Sequence, residues 1–138
     1  MLVVRSIMEF NDFKVVGVDR DNIERDPSVA NAFKYSFLLS SKPDDIWVKF
    51  LHRSYRLSSF ARKRQYAVIG SSVVFTVLCE DNMQAQLDFL KELVASANEE
   101  YRKMIDKEVQ EKREEEARRR QEQETIERLR QEVDRLSF

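Results

Sequence analysis

The chain has 138 residues and a formal net charge of −1, although 36% of its residues are charged. This length fits one domain with an extension, and the balanced charge gives no overall field that would favour nucleic acid or a membrane surface. The single cysteine, the lack of an apolar signal-peptide run and the absence of any 18-residue apolar window predict a soluble cytoplasmic protein without membrane contact.

The N-terminal part of the sequence predicts strands separated by a polar loop. Residues 13–18 are rich in β-branched side chains and predict a strand, and residues 2–8 could form another short strand or a loose arm. Residues 19–31 contain several turn signals, and their acidic side chains do not follow the spacing of a calcium-binding loop. From Phe33 to Ser40 apolar and polar residues alternate, which is typical of a strand with one buried face.

A short helix is predicted to begin around Pro43. Ser41 or Lys42 would be its cap, Pro43 would lie in the first turn, and the two aspartates that follow would oppose the positive end of the helix dipole. The predicted helix spans Pro43 to Tyr55, and its apolar face would place Trp47 in the core.

A hairpin and a second helix follow in the sequence. Strands at residues 65–69 and 73–79 would flank a turn at Gly70, and one long bulged strand is the alternative. The alternation makes Cys79 a small core residue. No Gly or Pro follows Gly70, so residues 82–138 predict one long helix. Its first turns carry an apolar stripe with a spacing of 4-3-4-3-4-3, namely Met83, Leu87, Leu90, Val94, Ala97, Tyr101 and Met104.

The middle of the long helix is strongly polar. Between Asp106 and Glu124, 14 of 19 residues are charged, so we expect this segment to lie outside any core. Glu residues precede basic residues by four positions at several points, and each such pair stabilises a helix by about 0.2–0.5 kcal/mol. The polar segment is therefore predicted to remain helical but to fray unless it is held.

Four apolar residues return near the C-terminus with a spacing of 3-4-3: Ile126, Leu129, Val133 and Leu136. They do not continue the register of the earlier stripe, and less than two heptads is too short for an isolated coiled coil. A stripe of this kind on a solvated helix nevertheless indicates a contact surface. Two copies of the chain could pair through it, or it could dock on another protein; a disordered charged tail with incidental apolar residues is the third interpretation.

A second candidate surface lies between Asp45 and Glu80, where the sequence contains no acidic residue. Basic and aromatic residues are interleaved there. Basic side chains can bind phosphates, and exposed bases can stack on aromatic side chains. The candidate contacts with phosphate or nucleic acid are Lys49, Arg53, Arg56, Arg62, Lys63, Arg64, Tyr55 and Tyr66. The same residues could instead form a solvated surface, pair with acidic residues of the long helix, or contact a protein.

No residue pattern predicts catalysis. His52 is the only histidine and Cys79 the only cysteine, so one chain cannot assemble the usual His/Cys zinc site. A nucleophilic pair of these two residues would require both at one pocket, and they lie on different predicted elements. We therefore expect no catalytic residue, no metal and no cofactor.

Together these patterns predict an α+β fold with two layers. An antiparallel four-stranded sheet, with the element order ββαββα, would carry two helices on one face, and the second would extend as a long charged helix. Residues 1–105 would form the domain, and residues 106–138 a charged helical extension with a coiled-coil-like tip. The predicted function is a non-enzymatic protein-interaction or oligomerisation module that self-associates or docks a protein partner through the extension. The alternative is nucleic-acid binding through residues 49–66.

Overall fold

The fold is that of a computed structural model, which describes residues 11–61 and 63–138. The possible strand at residues 2–8 lies outside the described residues. Five strands and two helices follow in the order β1 (Val15–Val18), β2 (Glu24–Arg25), β3 (Ala32–Leu39), α1 (Asp45–Leu57), β4 (Tyr66–Ile69), β5 (Ser72–Leu78) and α2 (Met83–Asp134). The described residues form two compact units, which we call the sheet unit (Asn11–Arg102) and the helical unit (Lys103–Phe138).

The sheet unit confirms the predicted α+β class with an antiparallel sheet and two helices. The strand order is β1-β3-β5-β4, and β2 pairs with the first half of β3. The sheet therefore has five strands where four were predicted. The additional strand contains only two residues, which is too short to produce an alternating pattern in the sequence.

The buried face of the sheet follows from the register between its two central strands. Phe37 of β3 lies opposite Val73 of β5, and Tyr35 lies opposite Phe75, so alternate residues of both strands share one face. The apolar side chains of the sheet unit that are at most 5% exposed include Ala32, Phe37, Leu39, Trp47, Leu51, Val73, Phe75, Val77, Phe89, Leu90, Leu93, Val94 and Ala97. Both helices contribute to this core, which matches the predicted two-layer arrangement.

A buried asparagine joins α1, α2 and the segment before β1. Asn98 Oδ1 accepts hydrogen bonds from Trp47 Nε1 at 3.0 Å and from the Phe13 amide at 3.1 Å, and its Nδ2 donates to the Phe13 carbonyl at 2.9 Å. The rings of Phe13 and Trp47 also pack, with centroids 4.7 Å apart. Trp47 is fully buried, so its prediction as a core residue is confirmed.

The start of α1 differs from the predicted one. Asp44 is the cap, because its Oδ1 accepts a hydrogen bond from the Trp47 amide at 2.8 Å, and Pro43 precedes the helix instead of lying in its first turn. Asp44 also accepts a hydrogen bond from the Tyr101 hydroxyl. The carboxylate of Asp44 both accepts the hydrogen bond from the Trp47 amide and places a negative charge at the positive end of the helix dipole.

The hairpin between β4 and β5 turns at Gly70, whose φ of 60° lies in the left-handed region that glycine adopts without strain. The prediction that Cys79 is a core residue is wrong. β5 ends at Leu78, and Cys79 is exposed because the alternation of the strand does not continue into the turn that follows.

The long helix is continuous from Met83 to Asp134. Asn82 caps it by accepting a hydrogen bond from the Ala85 amide at 3.0 Å. In the helical unit Ile105 and Val109 are buried, so the prediction that the polar segment lies wholly outside a core is wrong for Val109. Every residue after Lys112 is exposed.

Candidate functional site

The first candidate surface lies at the end of the helical unit and consists of Ile126, Leu129, Val133 and Leu136, which we call the tip stripe. Their exposed fractions range from 42% at Ile126 to 60% at Leu136. The first three belong to α2, and Leu136 follows in a final turn in which its amide donates to the Val133 carbonyl at 3.0 Å. The structure thus presents the four predicted residues as exposed apolar side chains, three of them on α2 and the fourth just after the helix ends.

The helix that carries the tip stripe is supported by local pairs. Arg119 forms an ion pair with Glu115 at 2.8 Å, one of the predicted pairs with a spacing of four, and Gln110 Nε2 donates to Glu114 at 3.2 Å. The Thr125 hydroxyl donates to the Gln121 carbonyl at 2.9 Å. Exposed pairs of this kind contribute little individually. These contacts lie within the helix itself, so the scaffold of the stripe is a regular helix with a few local side-chain pairs.

The second candidate surface, residues 49–66 of the sheet unit, is divided by the structure into paired and exposed groups. The guanidinium of Arg64 binds both carboxylate oxygens of Asp81, with two hydrogen bonds of 2.6 Å. The Asp81 side chain is fully buried and that of Arg64 is 24% exposed. This bidentate pairing raises the pKa of Arg64 above its ordinary value. The charge of Arg64 therefore neutralises a buried carboxylate and is less able to contact a ligand.

Lys63 is also engaged within the sheet unit. Its Nζ donates to the Tyr55 carbonyl near the C-terminus of α1 at 3.0 Å and lies 5.0 Å from the centre of the Tyr55 ring. A cation at this position satisfies a terminal carbonyl and complements the negative end of the helix dipole. Arg62, a further candidate contact, lies outside the described residues.

The two tyrosines of this segment pack against each other. Their ring centroids are 4.7 Å apart, the Tyr55 hydroxyl donates to the Arg64 carbonyl at 2.9 Å, and Tyr66 shares a hydrogen bond of 2.5 Å with His52 Nδ1. Burial raises the pKa of the Tyr66 phenol well above its ordinary value, and Tyr55 adds to this shift. Both rings are half-buried, so they serve the packing between α1, β4 and the loop that joins them.

The remaining three candidates form an exposed stripe on α1. Lys49, Arg53 and Arg56 are spaced by four and three residues, which places them on one face of the helix, and all three are exposed. Arg53 also lines a surface groove together with Ser96 and Glu100 of α2. We call Lys49, Arg53 and Arg56 the α1 cation stripe.

The acidic loop before β3 binds its own polar groups. Asp19 accepts hydrogen bonds from the Asp21 amide and Asn22 Nδ2, and Asp26 accepts from the Ser28 amide, the Ser28 hydroxyl and the Thr76 hydroxyl. These bonds from Ser28 lower the pKa of Asp26. Among the residues that the structure describes, no group of three His, Cys, Asp or Glu side chains is arranged to hold a metal ion.

Sequence reasoning missed the pairing of Arg64 with Asp81. The signal was present, because an antiparallel hairpin brings the residue that precedes its first strand next to the residues that follow its second strand. Arg64 stands just before β4 and Asp81 just after β5. The hairpin brings these two ends of the strands together, and the turn after β5, in which the Asp81 amide donates to the Leu78 carbonyl at 3.0 Å, completes the approach of the two charges.

Comparison with protein family models, with curated proteins and with solved structures found no match for this chain. Within residues 11–61 and 63–138, no helix has the length and apolar character needed to cross a membrane.

Proposed function

We propose that this chain is a non-enzymatic protein-interaction module and that the tip stripe is its contact surface. The observation that carries the proposal is the exposure of four regularly spaced apolar side chains, three on α2 and the fourth just after its end, among residues that are almost all charged or polar. Burying a Leu or Ile side chain stabilises a contact by about 1.5–3 kcal/mol relative to leaving it in water. Four such residues on one face can therefore support association with another helix.

The remainder of the tip favours a helical partner. A stripe with a 3-4-3 spacing is about one side chain wide, and it fits into the stripe of another helix better than onto a flat surface. The neighbouring charged residues favour solvent around the isolated helix and restrict the contact to the tip stripe.

Sedimentation velocity on the full chain tests the proposal. Leu129→Lys places a charge in the stripe, whereas Gln131→Lys introduces the same side chain on the opposite face of the helix and serves as the matched control. The proposal predicts that the parent chain and Gln131→Lys self-associate with rising concentration, and that Leu129→Lys remains monomeric. Three indistinguishable profiles would contradict the self-association form of the proposal.

We infer nucleic-acid binding as a second candidate, now restricted to the α1 cation stripe. The observation that favours it is the alignment of Lys49, Arg53 and Arg56 on one exposed helix face. Arg64 and Lys63 contribute less, because their charges are already used within the sheet unit. Three phosphate contacts release few counterions, so the expected binding is weak and falls with salt.

A further inference from the structure

The tip stripe has a heptad composition that distinguishes between kinds of coiled coil. Its 3-4-3 spacing assigns Ile126 and Val133 to heptad position a, and Leu129 and Leu136 to position d. β-Branched residues at a combined with leucine at d favour two parallel strands over three or four. The residues at positions a and d therefore indicate the number of helices in the contact as well as its existence.

We propose that the tip stripe is covered by the tip stripe of a second copy of this chain, in a parallel two-stranded coiled coil. This inference depends on the proposed function, since it names the partner and orientation of the same surface. In the parallel arrangement Ile126 packs against the second copy's Ile126, and Leu129 against the second copy's Leu129. Apolar residues thus meet apolar residues in every layer of the stripe.

The charges that flank the stripe distinguish the two possible orientations. Thr125 and Glu132 occupy position g, and Arg130 and Ser137 occupy position e. Two parallel copies place Thr125 beside Arg130 and Glu132 beside Ser137, so no like charges meet. Two antiparallel copies aligned on the same four layers bring Arg130 next to the second copy's Arg130, and Glu132 next to the second copy's Glu132. These repulsions disfavour the antiparallel pair.

The residues that precede the stripe determine where the parallel contact ends. Lys112 and Arg119 occupy position a, and Glu115 and Glu122 occupy position d. A parallel pair would place each of these charges opposite its own copy. In the structure Arg119 is instead paired with Glu115 of the same helix. The seam therefore closes only from Ile126 onward. Because this seam is shorter than two heptads, it does not form a stable coiled coil at low concentration. The dimer is weak and reversible, and salt that screens the upstream repulsion strengthens it.

Cysteine cross-linking in the full chain tests the orientation. Two variants, Leu136→Cys and Ile126→Cys, each place a small apolar thiol side chain in one layer of the seam. Both also carry Cys79→Ser, because Cys79 is exposed and could form its own cross-link. The two variants are mixed in equal amounts at high concentration and oxidised mildly, and the disulfide products are identified by peptide mass spectrometry.

The two orientations predict different cross-linked products. Two parallel copies bring position 136 beside position 136, so the symmetric product joined through this position should exceed the mixed product at least about fivefold. Two antiparallel copies would bring position 136 of one chain beside position 126 of the other. A mixed product at or above the yield of the symmetric one would therefore overturn the proposal.

A second substitution shows whether formation of the disulfide depends on packing of the tip stripe. Adding Leu129→Lys to the Leu136→Cys chain should reduce the symmetric product at least about tenfold, because it places a charge in the seam. An unchanged yield would mean that the disulfide forms in random collisions, and it would also overturn the proposal. A parent chain that sediments as a monomer removes the self-association itself, whereas a trimer or an antiparallel dimer removes only this inference.

An extension of the seam gives an independent test. Replacing Arg119 with Ile and Glu122 with Leu adds one apolar heptad to the stripe, so the dissociation constant of the dimer should fall at least about tenfold. Arg120→Ile with Gln121→Leu introduces the same residues away from the seam and is the matched control. Equal effects of the two pairs would contradict the heptad assignment, since only the first pair lies on it.

Discussion

The ion pair between Arg64 and Asp81 allows a quantitative prediction about the basic segment. Arg64→Met retains most of the apolar stem but removes the guanidinium, while the fully buried Asp81 carboxylate keeps its hydrogen bond from the Leu78 amide. Removal of one partner from a buried ion pair costs about 3–5 kcal/mol. Because Arg64 is 24% exposed and the Leu78 hydrogen bond remains, we expect a smaller loss, about 2–3 kcal/mol.

The magnitude converts directly into a thermal shift. In a domain of about 90 residues, a loss of 1 kcal/mol lowers Tm by about 4–8 °C, so the loss of about 2–3 kcal/mol in Arg64→Met should lower Tm by about 8–24 °C. Fluorescence of Trp47 is the suitable signal, because this single tryptophan is buried in the sheet unit. Far-ultraviolet circular dichroism would mix this transition with melting of the helical unit.

Two comparisons make the result decisive. Arg56→Met makes the same chemical change on the exposed face of α1, and it should alter stability by less than about 0.5 kcal/mol. The double variant Arg64→Met with Asp81→Asn should recover about 1 kcal/mol, because it removes the buried negative charge that Arg64 neutralises in the parent chain. A Tm within about 2 °C of the parent value for Arg64→Met would refute the structural role of this arginine.

Three further predictions follow from the sheet unit. Asn98→Leu removes the hydrogen bonds to Trp47 and the Phe13 backbone, so stability measured by urea unfolding should fall by about 2–4 kcal/mol; an unchanged midpoint would contradict the role of Asn98. The folded-state pKa of Asp26 is lowered, so its contribution is complete above the unfolded pKa and is lost as pH falls through the folded value. Asp26→Asn should therefore reduce the fall in Tm below about pH 4; an unchanged acid slope would assign that fall to other groups. Replacing the α1 cation stripe with alanines should abolish weak, salt-sensitive retention on single-stranded DNA, and equal retention of parent and variant would remove the second candidate function.

Much of the fold could be predicted because its signals are local. Alternating residues in β3, the glycine turn before β5 and the absence of Gly or Pro in α2 each report backbone conformation directly. The two-residue strand β2 has no comparable signal, since its existence depends on pairing with Lys34 and Phe33. Cys79 was assigned to the core by extending the alternation of β5 beyond the end of the strand.

The candidate surfaces could be predicted less completely, because composition does not reveal partners. The sequence left open whether the basic segment is a free surface or is paired within the chain, because Arg64 and Lys63 bind groups that only the fold brings near. The same limitation concealed the role of Asn98, which is 85 residues from Phe13 in the sequence. The tip stripe was visible from the sequence because its spacing and its polar surroundings are both local properties of one helix.

The most direct test of the central claim is a concentration series of methyl NMR spectra of the full chain. If the tip stripe is the contact surface between copies, the methyl signals of Ile126 and Leu129 shift or broaden as concentration rises. The signals of the buried Leu51 and Leu90 remain constant and serve as internal controls. Tip-stripe signals that stay fixed up to about 1 mM, the weak end of measurable association, would contradict the claim that these residues meet a second copy.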